Sequence, residues 1–404
     1  MFKEVGVSRK ILGKLAGQTE PIEITIEGSA IHSIQPIRSE SRNAVASANC
    51  WIASAFFDVQ VNGFAGVDFN SPGLSSDAIW HAMTKLREKG VVFFCPTVIT
   101  HSFEHLADCL GALDRVCREP SVASCIPAIH LEGPWISRED GPRGAHPLEH
   151  ARKADWEEFL RLQESAGGRI GMVTLAPEVP EALAVIERLV AAGIVVAIGH
   201  TAASPDTIRQ AVQAGARMCT HLGNGSHLQL PRHHNYVWEQ LAADDLWASF
   251  IVDGHHLPPS VVKCMVRAKG TQRSILTSDA ISAAGMPPGR YRLGAVDIVV
   301  QPNYRAERAD GAGSGILAGS AIDLLRGVEN VIRFAGVSVS EAIAMASTNP
   351  ARLMGLSSRI GAVEPGRDAN LIVFEWKADS GCLQLQQTIM EGQVVYDAGK
   401  AGGA

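Results

Sequence analysis

Two rhythms of apolar residues share this chain. Short apolar runs bounded by glycine, proline or polar residues read as buried strands. Stretches with apolar side chains three and four residues apart read as amphipathic helices. Through the middle of the chain the two alternate. Residues 51–63, 91–99, 125–132, 170–175, 194–199, 216–220, 247–252 and 274–278 form the strand-like runs. Residues 76–89, 103–116, 155–164, 180–192, 205–214 and 259–268 carry helical spacing. In the first helix Ile79, Met83 and Leu86 share a face, Ser76 and Asp77 can cap its start, and Gly90 ends it. Eight strands, each followed by a helix or a long loop, predict an α/β fold of the (β/α)8 TIM-barrel type. An open doubly wound sheet is the alternative, weakened because no Gly-x-Gly-x-x-Gly follows the first strand.

The two ends of the chain read differently. Residues 22–26 alternate, Glu27-Gly28-Ser29 turns, and 30–34 resume the alternation. After two more helical stretches, 322–334 and 339–347, strand patterns return at 369–374, 383–390 and 392–396. β structure at both termini predicts one small β domain from residues 1–52 and 360–404, with the barrel over 53–359.

Polar chemistry collects where the strand-like runs end. Glu132 closes one run just before Gly133-Pro134, His200-Thr201 closes another, and His221-Leu222 and Asp279-Ala280 close two more. A carboxylate at the end of a buried strand is costly unless something pairs with it. Two imidazoles and a carboxylate with an open position make a usual catalytic metal set, so Glu132, His200 and His221 are the expected ligands of one divalent ion. A single histidine at a strand end is more often a structural hydrogen-bonder; three on separate strands at one barrel face reverse that reading. Asp279 suits either a helix cap or ion pair, or a general base acting on a metal-activated water. Gln60 and Asn62 stand where barrel hydrolases often carry His-x-His, and amides are poor ligands for such an ion, which argues against a second metal. His255 and His256, with Arg232, His233 and His234, suit an anionic group such as phosphate, or line a solvated loop.

Composition narrows the function classes. With 404 residues, 46% hydrophobic, the chain can bury a large core. A formal net charge of -6 gives no basic footprint for nucleic acid. No apolar run reaches the roughly 18 to 20 residues of a membrane span, and the N-terminus lacks an apolar signal core, so a cytoplasmic location is expected. The eight cysteines are scattered and form no C-x-x-C pair, which points to buried thiols rather than zinc-finger or redox motifs.

With those residues in view, the chain resembles the N-acetylglucosamine-6-phosphate deacetylase family of the amidohydrolase superfamily. The matching segments run nearly end to end: 57–63 (FDVQVNG), 96–100 (PTVIT), 130–135 (HLEGPW), 144–146 (GAH), 174–178 (TLAPE), 199–201 (GHT), 220–222 (THL), 253–256 (DGHH), 278–280 (SDA), 318–320 (AGS), 349–352 (NPAR) and 361–370. The resemblance implies a TIM barrel with a small β-sandwich formed by both termini, usually in a homodimer. It implies hydrolysis of the N-acetyl group of an amino-sugar phosphate, releasing acetate. One zinc, or else iron, manganese or cobalt, would sit on Glu132, His200 and His221, with Asp279 as the acid/base. His146 would contact the acetamide and help the catalysis, Asn224 and Gly225 the sugar, and Ser320 the substrate. Arg232 and His256 would contact the phosphate, Arg232 across a dimer interface. No membrane or nucleic-acid partner is expected.

The chain also departs from that family. Where the family reads Phe/Tyr-Asn-Ala-Met and later Arg-Glu-Pro-Gly, this chain has Gly223-Asn224-Gly225-Ser226-His227 and later Arg232-His233-His234-Asn235. The Asn and Arg are kept while their neighbours change. That leaves open the sugar epimer, the need for phosphate, and the roles of His227, His233 and His234. The alternatives are a deacetylase of N-acetylgalactosamine-6-phosphate or another N-acyl compound, or an inactive barrel serving as a binding protein. A cyclic amidase expects His-x-His and a bridging lysine, and residues 171–178 hold no lysine. A nucleobase deaminase also wants the first-strand histidine pair.

Overall fold

The computed structural model describes residues 8–37, 50–293, 296–309 and 316–401. Strands β1 (Arg9–Leu15), β2 (Pro21–Glu27), β3 (Ala30–Pro36) and β4 (Cys50–Ser54) belong to a sheet completed by the other end of the chain. On β2, Ile22, Ile24 and Ile26 point inward while Glu23 and Thr25 are half-buried outside, the two-residue period of a one-sided sheet.

The barrel follows. It starts with β5 (Phe56–Val61), passes a short pair, β6 (Gly63–Phe64) and β7 (Val67–Asp68), and continues with β8 (Val91–Ile99) and β9 (Ile129–Glu132). Then come β10 (Ile170–Leu175), β11 (Val195–Ile198), β12 (Met218–Cys219), β13 (Trp247–Phe250) and β14 (Ser274–Leu276). Sheet order follows chain order from β5 to β14, and neighbouring strands run parallel. The ring shuts where Asp279 donates its N–H to Gln60 O at 3.1 Å and Asn62 to Ala280 O at 2.8 Å. Thr277 Oγ1 also donates to Asp58 Oδ1 at 2.8 Å, tying the first strand to the last. The expected (β/α)8 barrel is present. Its strands are buried on both faces, which is why they read as unbroken apolar runs.

The intervening helices, Ser76–Arg87, Phe103–Val116, Trp156–Ser165, Ala182–Ala191, Pro205–Gln213 and Pro259–Lys269, match the spacing to within two residues at each end. The first is capped by Ser75 rather than Ser76, its side chain accepting from Ala78 N. Above the barrel mouth lies a three-stranded flap, β15 (Gly289–Leu293), β16 (Val296–Val300) and β17 (Ala306–Arg308), packed through Ile298, Val300 and Ala306.

Strands β18 (Leu371–Lys377), β19 (Cys382–Met390) and β20 (Gln393–Asp397) finish the terminal sheet, in the order β20-β19-β18-β4-β1-β2-β3. Every pair is antiparallel except β1 with β4. Ile31 N donates to Arg367 O at 2.8 Å and Ala369 N to Ser29 O at 2.7 Å. The sheet therefore folds over on itself as a sandwich, enclosing Ile24, Ile26, Ile31, Ile52, Leu371 and Ile389. The run 51–63 is not one strand. It divides at Ala55, whose N–H bonds to Asn370 O, so β4 serves the terminal sheet and β5 the barrel. Apolar residues on both sides of Ala55 hide that change of partner.

Candidate active site

Glu132 is the last residue of β9, and His200, His221 and Asp279 follow β11, β12 and β14 by two or three residues. The last three have left-handed backbone, with φ of 52°, 31° and 49°. Such a conformation costs a non-glycine residue on the order of 1 kcal/mol or more and persists only where the surroundings enforce it. Here the bend turns each side chain from the strand axis toward a common point.

At that point the three candidate ligand atoms form a nearly equilateral triangle. His200 Nε2 lies 3.2 Å and His221 Nε2 3.1 Å from Glu132 Oε1, and the two nitrogens are 3.1 Å apart. A triangle of that size has its centre about 1.8 Å from each corner, just inside the roughly 2.0–2.2 Å of zinc bonds to such atoms. His200 Nδ1 faces Pro142 O at 2.9 Å, and a carbonyl can only accept. The proton therefore sits on Nδ1 and the Nε2 lone pair faces the cluster. Among the described residues, Gln60 Oε1, Asn62 Oδ1, His146 Nδ1 and His221 Nδ1 are buried without partners. Orphaned polar atoms around such a donor set fit a site that holds a divalent ion.

The two acids differ sharply. Burial pushes the Glu132 carboxyl up, but the hydrogen bonds and charges of His200 and His221 outweigh it and hold it well below the ordinary range. His221 is raised: its burial is outweighed by Glu132 and then Asp279. Asp279 is pushed up to about 7 by burial and by the charge of Glu132, against the pull of His221, His256 and Asn62. Asn62 Nδ2 donates to Asp279 Oδ1 at 2.7 Å. Two carboxyls driven apart by their surroundings are the usual sign that one is a fixed anion and the other moves protons. His146 Nε2 stands 3.2 Å from His200 Nε2, and burial followed by His200 lowers it to about 3, so the ring is neutral.

A cavity of about 940 Å³ opens above this cluster. Glu132, His146, His200, His221, Asn224, Gly225, His256 and Asp279 all line it. His256 Nδ1 meets buried Asp253 at 2.6 Å, which fixes that proton and turns Nε2 to the cavity side. His255 does not line it; its Nε2 reaches Asn303 O, beside the flap. Arg232 is exposed and does not line the cavity of its own chain. Ser320 does not line it either: buried, it gives its N–H to Asp279 O at 3.0 Å, so it braces the Asp279 turn. His227 bonds Glu139 Oε2 at 3.0 Å and Tyr236 OH at 3.0 Å, clasping the loop after β12 to the loop after β9. His233 and His234 are exposed.

Some lining groups escaped the sequence reading. His101, His105 and Arg143 line the same cavity. His101 follows the Pro-Thr-Val-Ile-Thr segment directly, and that position beyond a strand end was the available signal. Arg143 donates to His146 O at 2.8 Å. Among the described residues no helix is long and apolar enough to cross a membrane.

The model of the amidohydrolase family matches residues 51–395. The N-acetylglucosamine-6-phosphate deacetylase of Bos taurus is 34% identical over 365 residues, covering 87% of this chain and 85% of its own length. The N-acetylgalactosamine-6-phosphate deacetylase of Escherichia coli O157:H7 is 32% identical over 381 residues, covering 94% and 96%. Among solved structures, an aspartate-to-alanine mutant of N-acetyl-D-glucosamine-6-phosphate deacetylase from Mycobacterium smegmatis, bound to N-acetyl-D-glucosamine-6-phosphate, superposes with a TM-score of 0.84. It is 28% identical and covers 96% of this chain and 99% of its own.

Proposed function

Because the chain belongs to the amidohydrolase family, we propose that it hydrolyses the N-acetyl group of an amino-sugar phosphate, N-acetylglucosamine-6-phosphate first. Water enters, and acetate and glucosamine-6-phosphate leave. The observation that carries this reading is the convergence of Glu132, His200 and His221 within 4.8 Å, beside an Asp279 poised near neutrality.

A divalent ion, zinc by its ligand set, would be held by Glu132, His200 and His221, where it supplies Lewis acidity toward the amide carbonyl and the attacking water. Asp279 takes a proton from that water and returns it to the departing nitrogen. Asn62, donating to Asp279 Oδ1, holds the carboxyl in line. His146 and the loop of Asn224 and Gly225 position the acetamide and the sugar, and neutral His146 gives a hydrogen bond to the oxygen that gains charge. His256 holds the phosphate from within the chain. Arg232, exposed at the surface, completes the phosphate site of a second copy in a homodimer. Ser320 serves substrate through the Asp279 turn. We further take residues 1–52 with 360–404 as the small β domain, 53–359 as the barrel, and the cytoplasm as the location.

The test is acetate release from N-acetylglucosamine-6-phosphate, its galacto epimer and both unphosphorylated sugars. The galacto epimer belongs in the panel because the galactosamine relative covers nearly the whole chain and because residues 223–227 depart from the family pattern. No acetate from any of the four sinks the reading. Chelation should abolish activity, and metal titrated back should saturate near one ion per chain, since Gln60 and Asn62 replace the His-x-His pair. A stoichiometry of two by elemental analysis would overturn the single-ion site.

A further inference from the structure

Beneath the triangle of Glu132, His200 and His221 runs a chain of polar side chains that the chemistry above does not use. Thr220 Oγ1 lies 2.7 Å from Thr174 Oγ1, and Thr174 Oγ1 lies 2.7 Å from His130 Nε2. All three residues are buried.

The surroundings of His130 give each bond its direction. Thr97 Oγ1, 3.5 Å from His130 Nδ1, spends its own hydrogen on Cys95 O at 3.2 Å and cannot donate to the ring. The backbone carbonyl of Val59, on β5, takes the ring proton on that side. Nε2 is then bare and accepts from the Thr174 hydroxyl, whose oxygen in turn accepts from Thr220. The hydrogens all point one way, from the end of β12 through β10 and β9 to β5.

Every link stands beside a candidate metal ligand. His130 precedes Glu132 by two residues on β9, so both side chains face the barrel interior. Thr174 pairs with Glu132 across β9 and β10, and its carbonyl accepts from Gly133 N–H at 2.9 Å. Thr220 is the residue before His221. Gly199, the residue before His200, fits between two of the links. A Cβ added there would come within 2.7 Å of Thr174 Cγ2 and 2.8 Å of Thr220 Cβ. The chain therefore meets the segments that carry all three ligands, after three different strands. Apolar side chains could fill this layer with no polar group left to satisfy. Hydrogen bonds add fixed lengths and directions, and a fully satisfied buried network rigidifies what it joins.

We propose that Thr220, Thr174 and His130 are positioning residues that set the spacing of Glu132, His200 and His221, so that the affinity of the site for a divalent cation depends on this hydrogen-bonded chain. The inference rests on the reading of those three residues as one metal site. The chain acts only through the ligands and takes no part in the hydrolysis.

The experiment titrates zinc into the metal-free protein against a chelator of known affinity. Thr174→Val keeps the shape and removes the middle hydroxyl. It should raise the zinc Kd by about tenfold or more, the scale found for groups that orient metal ligands. Thr174→Ser, which keeps the hydroxyl, should restore tight binding. Thr220→Val should also weaken binding, and combined with Thr174→Val it should cost little more than Thr174→Val alone, because the chain is already cut. Melting of the metal-free proteins is the control. A merely structural role would lower the melting temperature and leave the zinc Kd unchanged, which overturns the proposal. Additive losses in the double variant overturn it as well. Failure of both valine variants to fold does the same, since the chain would then serve the fold rather than the ligand spacing. A wild-type protein that binds no zinc sinks the underlying metal reading instead, and shows before any variant is made.

Discussion

Replacing Asp279 by asparagine should lower kcat by about a thousandfold or more while metal uptake stays near wild type, since proton transfer by a positioned group supplies roughly 10²–10⁴ in rate and this one is asked to act twice. The amide keeps the size and the contact with Asn62 but cannot take a proton from water. The ligand triangle is built from Glu132, His200 and His221, so metal content should not change. The pH profile gives a second reading. A base works deprotonated, so the rate should fall as pH drops through the Asp279 pKa, which burial and Glu132 hold near 7 before an ion is added. A cation alongside moves that limb to lower pH. In Asp279→Asn the acid limb should vanish from the residual rate. Near-wild-type turnover in the variant would remove Asp279 from the chemistry.

Gly133→Ala should destabilise the protein by about 3 kcal/mol or more and weaken metal binding. Gly133 has a φ of 77°, and an added Cβ would come within 2.1 Å of Thr100 Oγ1. Thr100 is buried, and that same hydroxyl donates to Glu132 O at 3.2 Å, so the clash strikes the brace behind a candidate metal ligand. Gly193 is the control. Its φ of 78° is nearly the same, yet nothing lies within 4 Å of its added Cβ. Gly193→Ala should therefore show only the left-handed strain, about 1 kcal/mol. Thermal melts and metal titrations of the two variants separate strain from collision. Equal melting temperatures would mean that Thr100 yields and the brace does not matter.

The cluster of Glu132, His200 and His221 was legible because each residue ends an apolar run, and a polar group there has few other uses. The barrel was legible because buried parallel strands leave uninterrupted apolar stretches between helices of period 3.6. Other parts carried no such mark. In β1, exposed Leu12 and buried Gly13 break the alternation on what becomes a central strand of the terminal sheet. The helix Tyr236–Ala242 and the flap β15–β17 are short, and contact with the rest of the fold stabilises them more than their own pattern does. His101 and His150 are separated by 48 intervening positions of unrelated sequence, so nothing local announces that they stack. Ser320 sat in a matching segment, but whether such a residue touches ligand or backs the turn depends on which way the chain crosses the barrel mouth.

The order of the terminal sheet has a consequence for synthesis. β4 lies between β1 and β18, and Leu371 follows Ser54 by more than three hundred residues. As the nascent chain leaves the ribosome, β1 to β4 emerge with one hydrogen-bonding edge bare. Their partner β18 is made only after the whole barrel. An unpaired apolar edge is a template for wrong pairing between molecules. Chains that stop short of β18 would carry that edge permanently, even with Glu132, His200 and His221 already in place.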